Sequence, residues 1–352
     1  MRYRRVGALQ LYWQDDELRF HNYLQRLTVS AIPFTVELLD ALSDWQGLEA
    51  LARRFSQYSR DSLEQSLLAL VENQLVVCEG SVAAQRDEQA CRDWAPWLPS
   101  AGFHFSSKDC PYVTADSPDE LKRATLPSTP QPPHYKPAHG DGAIALPPAT
   151  PAAGEFIEVL LRRRTHRSFG PAPLTLVEVA TLLQLVWGVQ DQVDTPTFGK
   201  LPLKTSPSGG ARHPGEVYLM ALRVEGLAPG IYHYHPLHHT LALVNEQATP
   251  ALAAAYCADQ RYVGDAAALF LMTAVFPRAM WKYHKPRAYR VVTLDAGHLG
   301  QTFCLVATWL GLAPFGTAAL KDTLIEEDLG IDGVNESVLF VTGAGRPLPP
   351  EA

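Results

Sequence analysis

Cysteine is scarce: five in 352 residues (Cys78, Cys91, Cys110, Cys257 and Cys304), an odd number with no C-x-x-C pair. That usage excludes a disulfide framework and a zinc knuckle and fits a reducing compartment. Basic charge is not in excess either. Lys and Arg total 30 against 37 Asp and Glu, a formal charge of −7. A phosphate-bearing ligand must then be met by a local cluster of cations, and nucleic acid is not the expected main partner. No uninterrupted apolar run is long enough for a membrane span. The longest stretch, Leu294–Leu312, is broken by Asp295, His298 and Gln301 and reads as a buried helix. The opening MRYRRVGALQ has basic residues but no apolar core of a signal peptide. A cytoplasmic protein is expected. With 47% hydrophobic residues and only 19% charged, wholesale disorder is excluded.

Three zones separate by composition. Residues 1–80 alternate short β-type runs (Ala8–Trp13, Leu18–Leu24) with helical patterns over Val36–Trp45, Leu48–Phe55 and Ser59–Glu72. A strand follows at Leu75–Cys78. In the third helix Leu63, Leu67, Leu70 and Val71 share one face. The order predicts a small winged-helix-like domain. Its net charge of −3 argues against DNA binding. Residues 81–153 read as a Pro-rich extended linker, since 12 of the chain's 28 prolines fall within 94–153. Trp94, Trp97, Phe103, Phe105 and Tyr135 could anchor it on a surface. Residues 154–347 form the large domain. Helices are expected at Glu155–Arg164, Leu176–Trp187, Pro250–Ala258 and Thr293–Leu310. Strands are expected at Glu216–Leu222, Gly230–His235, Thr240–Val244, Ala268–Ala274 and Ser337–Thr342. Lacking a regular βαβ alternation, this is an α+β pattern.

Five motifs could carry chemistry. LRRRTHRSF (161–169) packs Arg162, Arg163, Arg164 and Arg167 into six residues at a helix end. Guanidinium groups suit a dianionic phosphate, although cations also favour a helix C-terminus without any ligand. TSPSGGARHPGE (205–216) has two glycines that let backbone approach a flat ligand, with the Ser208 hydroxyl as a donor; its rival is an ordinary loop. GIYHYHPLHH (230–239) puts His233 and His235 on one strand face, but a polar hairpin is expected and no metal site. MWKYHKPRAYR (280–290) sets Lys282 beside Tyr283, with Arg287 and Arg290 close. Neighbouring cations favour a neutral amine, the condition for a lysine base; a solvated basic turn is the alternative. Finally DAGHLGQTFCLVATWLGLAPFGT (295–317) is a helix with small residues, followed by Gly316 and Thr317 as backbone donors.

The order of these motifs, closed by V-T-G-x-G-R-P, resembles the nitroreductase superfamily. More closely, it resembles the SagB-type dehydrogenases, which oxidise azolines in ribosomally made peptides. The similarity spans about 154–347, and AGFHFSSK (101–108) resembles the segment preceding the catalytic domain in that group. The resemblance implies an α+β fold that dimerises and holds FMN at the subunit interface. By motif position Arg163, Thr165 and Arg167 would reach the ribityl-phosphate. Pro207, Ser208, Gly209 and Gly210 would line the isoalloxazine, and Gly316 and Thr317 would lie near its N5/O4 edge. Lys282 and Tyr283 match the Lys-Tyr pair of azoline dehydrogenases. Thr165 and His166 depart from the R-R-S-x-R pattern of many relatives. No basic tail like that of many simpler nitroreductases follows Arg346 in this sequence, so the arginines of residues 162–167 would be expected to carry more of the phosphate load. The N-terminal zone resembles the winged-helix clamps that bind leader peptides, with a purely structural remnant that binds nothing as the equal alternative.

The implied function is oxidation of thiazoline or oxazoline rings to azoles in a precursor peptide, by a homodimer that could work with a cyclodehydratase. Two rivals stand beside it: an NAD(P)H-dependent nitro- or flavin reductase, and a non-catalytic peptide-binding scaffold.

Overall fold

The computed structural model describes residues 1–30, 32–109, 155–196, 199–283 and 287–348. The sheet of the large domain forms around strands that are apolar on both faces. In β10 (Gly215–Ala221), Val217, Leu219 and Ala221 enter one core while Tyr218 and Met220 enter another. Strand β14 (Ala268–Val275) repeats the pattern with Phe270 and Met272 against Leu269 and Leu271. Side chains alternate across a strand, so a continuous apolar run of this kind requires cover on both sides.

Six antiparallel strands form the sheet in the order β13-β12-β10-β14-β16-β15. They are β12 (Gly230–His235), β13 (Thr240–Asn245), β15 (Ala313–Thr317) and β16 (Glu336–Gly345) beside β10 and β14. Two helices cover one face: Leu176–Val186, whose Leu182, Leu183 and Val186 are buried, and the long Ala288–Trp309, which contributes Phe303 and Ala307. Helices Pro250–Tyr256, Arg261–Gly264 and Asp322–Leu329 cover the other. Leu176–Val186 starts at a capping box made by Thr175 and Glu178. Arg346 grips Glu178 with two bonds of 2.7 and 2.8 Å and donates to the Pro173 carbonyl at 3.0 Å. The arginine of the last motif therefore fastens strand end to helix start.

The N-terminal part holds two small sheets, a meander of β2 (Leu9–Gln14), β3 (Glu17–Asn22) and β4 (Leu27–Ser30), and a sheet of order β5-β1-β6. In the latter, β1 (Arg2–Arg5) lies between β5 (Gln46–Gly47) and β6 (Val76–Cys78). Helices Pro33–Ala41, Leu48–Arg54 and Arg60–Glu72 close their own core around Phe20, Leu38, Leu42, Leu51, Leu63 and Leu67. The two β-type runs, three helices and closing strand expected here are found within a few residues, and β1, β4 and β5 are additional strands that were not expected.

One expectation fails. Residues 82–107 are not extended: helices Val82–Asp93 and Leu98–Ser107 flank a 3-10 turn at Ala95–Trp97. Pro96 and Pro99 sit in the first turns of the latter two. There the missing N–H has no intrahelical partner to lose, so proline starts a helix instead of breaking it. Trp94, Trp97 and Phe105 are buried as anchors, whereas Phe103 is exposed. Tyr135 and the proline runs of 110–154 lie outside the described residues.

A further core ties the N-terminal part to the large domain, with Ala8, Tyr23, Trp94, Trp97 and Phe105 packed on Phe276, Ala279, Met280 and Val292. Around it, Lys108 pairs with Glu326, both buried, and Asp109 accepts from the Thr323 backbone at 2.9 Å at the start of helix Asp322–Leu329.

Candidate active site

The Pro-Ser-Gly-Gly segment forms a compact turn beneath the first half of the long helix. Gly210 is left-handed (φ 62°), and so are Ala211 (φ 54°) and His213 (φ 42°), an accumulation of strain that the surroundings must hold in place. They do so through side chains. The Ser208 hydroxyl donates to Asp295 Oδ2 at 2.5 Å and accepts from the His213 N–H at 2.9 Å. Arg212 Nε donates to the Gly210 carbonyl at 3.0 Å, with its guanidinium 5.5 Å above the Trp281 ring. The Ser208 hydroxyl, expected to donate to a ligand, is thus committed to the turn itself.

Asp295 is nearly buried. Burial raises its pKa, opposed by hydrogen bonds from Ser208 and the Gly209 backbone. Burial, with Lys204 nearby, pushes the His213 imidazole down to about 4. Neither residue was singled out from the sequence. The signal for Asp295 existed, as a carboxylate inside an apolar helical run.

Lys282 and Tyr283 lie against this turn. They follow the short helix Phe276–Met280, with both backbone N–H groups bonded to the Ala279 carbonyl at 3.2 and 2.9 Å. A Cβ placed on Gly210 would overlap Tyr283 Oη and come within 2.8 Å of Lys282 Nζ. A Cβ on Gly209 would overlap Val291. The two motifs, more than 70 residues apart in sequence, therefore meet where only glycine fits. Lys282 Nζ lies 5.5 Å from the centre of the Tyr283 ring.

The arginine motif sits elsewhere on the same helix. Arg164 turns back to the Leu161 and Arg163 carbonyls and takes the helix-end role, leaving Arg163 half-buried near Cys304 and Thr165 and Arg167 exposed. The His166 N–H bonds the Pro314 carbonyl at 2.9 Å, docking the segment on β15, the strand that carries Gly316 and Thr317. Thr317 is buried, and its hydroxyl accepts from Gln260 at 3.1 Å. Arg167 lies 5.9 Å over the Tyr262 ring. Ser208 rests on Asp295 and Arg163 beside Cys304. Nine helical residues separate these supports, about 13 Å at the α-helical rise. Within one chain the turn and the arginine motif lie against different stretches of the long helix.

The histidine motif is absorbed by its hairpin. His233 bonds Glu216 at 2.8 Å, His239 bonds Tyr234 at 2.8 Å, and the His235 and His238 rings stack at 4.4 Å. Among the described residues no three His, Cys, Asp or Glu side chains gather as a metal site, and no helix is long and apolar enough to cross a membrane.

The large domain is an antiparallel sheet covered by helices on both faces, with a glycine-containing turn set against a Lys-Tyr pair. The nitroreductase family pattern matches residues 160–346, more than half of the chain, which belongs to that family. Nitroreductase MJ1384 of Methanocaldococcus jannaschii is 30% identical over 54% of this chain and 90% of its own length. The trifolitoxin-processing protein TfxB of Rhizobium leguminosarum bv. trifolii is 32% identical over 48% of this chain. The microcin B17-processing protein McbC of Escherichia coli is 30% identical over 38%. The chain spans about half the length of the last two, 46% and 51%. Among solved structures, a chain of the E. coli microcin synthetase McbBCD complex with truncated pro-MccB17 bound matches 77% of this chain and 99% of its own. The TM-score is 0.52 at 20% identity, a likeness of fold that extends beyond the family-matched residues.

Proposed function

We propose that this chain is an FMN-dependent dehydrogenase that oxidises azoline rings to azoles in a ribosomally made peptide. The observation that carries this reading is the meeting of Lys282 Nζ and Tyr283 Oη with Gly210. A plain flavin reductase needs no base beside its flavin cradle; an enzyme that must break a C–H bond does. The processing roles named for TfxB and McbC support a peptide substrate.

The residues present fit FMN. Arg163 and Arg167 offer guanidinium groups of the kind a phosphate requires, and the Gly209-Gly210 turn, packed on one side by Val291, Lys282 and Tyr283, would set its backbone against the flat ring. When bound, FMN supplies a hydride acceptor. The chain's own task is then the proton. The ring Cα–H is acidified by its carbonyl and imine neighbours, Lys282 takes that proton, and Tyr283 orients the amine. Proton and hydride leave adjacent carbons, and the ring becomes aromatic.

The separation of the turn and the arginine motif along the long helix supports a homodimer in which the turn and Lys-Tyr pair of one copy complete the arginine group of the other. Exposed Phe156, Leu161, Leu294 and Trp309 on helices Glu155–Arg162 and Ala288–Trp309 supply apolar surface for it. The N-terminal module is proposed to hold a leader peptide, because the β2-β3-β4 meander leaves both outer strands paired on one side only among the described residues. A cyclodehydratase that installs the azoline is the expected partner, in the cytoplasm.

The test is anaerobic spectroscopy of the FMN-loaded protein. A peptide carrying one thiazoline should bleach the flavin while NADPH does not. Bleaching by NADPH alone would replace this reading with the reductase, and failure to retain FMN would leave the scaffold.

A further inference from the structure

The core shared with the N-terminal part packs against Tyr283 and adds a hydrogen bond to its backbone. Trp97 is fully buried, and its indole N–H donates to the Tyr283 carbonyl at 2.8 Å. That carbonyl lies just past a five-residue helix, where carbonyls have no intrahelical partner. The turn is thus held by Ala279 at its N–H groups and by Trp97 at its carbonyl, while its side-chain tips abut Gly210. The Trp97 ring stands edge-on to Phe276 and Tyr289, at 6.2 Å from each. Those rings belong to the helices immediately before and after the pair. Trp97 itself arrives from the N-terminal side, packed with Ala8, Tyr23 and Ala90.

We propose that Trp97 is a positioning residue for proton removal, through which the N-terminal module sets the geometry of Lys282 and Tyr283. The proposal rests on the reading of Lys282 as the base. A built-in control exists. Trp94, in the same core and equally buried, makes the same bond at the same length, 2.8 Å, but to Val334 in the loop before β16. A merely structural role predicts equal behaviour of the two tryptophans.

The experiment compares Trp97→Phe with Trp94→Phe in the full FMN-loaded chain, using a synthetic peptide with one thiazoline. Both variants lose one indole–carbonyl bond and should show similar drops in Tm. Trp97→Phe alone should lower kcat about tenfold, with KM and FMN content unchanged, because a displaced base loses rate and not binding. It should also displace the pH profile of kcat. A second readout needs no flavin: acylation of Lys282 by acetic anhydride, followed by mass spectrometry, should rise about threefold in Trp97→Phe as the turn loosens, and not in Trp94→Phe. Matching kcat and acylation in the two variants would overturn the proposal. If Trp97→Phe does not fold, Trp97→Met, which fills the core with a flexible side chain and no N–H donor, takes its place with Trp94→Met as reference. Unchanged acylation there would likewise overturn it. Lys282→Ala separates the two readings: full turnover in that variant would remove the lysine base, while the acylation result still judges Trp97.

Discussion

Residues 163–167 and residues 207–210 are proposed to hold parts of the same cofactor, yet they are organised in opposite senses. The arginine stretch is docked by backbone, through His166 on Pro314, and presents side chains. The Pro-Ser-Gly-Gly turn is docked by side chains, through Ser208, Asp295 and Arg212, and presents backbone. The difference follows from the ligand. A dianionic phosphate is well met by guanidinium side chains, whereas a flat ring needs surface with little projecting from it.

The comparison breaks most severely at Gly210. Gly210→Ala places a methyl group against Lys282 and Tyr283 at a left-handed position that costs an alanine about 1 kcal/mol. Azoline turnover should fall about 100-fold, as expected for an ångström-scale displacement of a base, a larger loss than any accompanying change in FMN affinity. Steady-state kinetics with a spectrum of the purified variant would decide; normal turnover would show that the cradle is not part of the site. Arg163→Ala and Arg167→Ala should have the reverse signature. Each charge-assisted contact is worth about 1.5–3 kcal/mol, so FMN affinity should weaken roughly tenfold or more. Titration of apoprotein with FMN reads this directly, and unchanged affinity in both variants would move the phosphate elsewhere.

The smallest effect concerns pH. His213, whose N–H holds Ser208, has a pKa depressed from 6.5 to about 4 by burial. A depressed histidine contributes stability that is present above its unfolded pKa and lost as pH falls through the folded one. Thermal stability should therefore decline between pH 6.5 and about 4, and His213→Gln should flatten that decline in Tm measured against pH. An identical slope in the variant would exclude His213 as its source.

Much of this was legible in the chain before any coordinates. Strands β10 and β14 and helix Leu176–Val186 follow from apolar periodicity, because burial on both faces leaves a pattern that no loop imitates. Segments whose prolines sit in tolerated places were missed. Pro96 and Pro99 begin helical turns, and Pro314 lies in β15, an edge strand with a free side for a residue lacking an N–H. Composition counts prolines; it does not say which N–H groups would have been used.

Residue types and their order determined the family, the arginine motif, the glycine pair and the Lys-Tyr pair, because these chemistries require particular side chains, or none, at short spacing. Only the tertiary structure decided which of them meet. It brought Gly210 to Lys282, kept Arg163 about nine helical residues from Asp295, spent the Ser208 hydroxyl on the turn, and set Trp97 behind Tyr283. Such contacts join residues 70 to 190 positions apart. Their geometry depends on how the cores pack together, which no local pattern encodes.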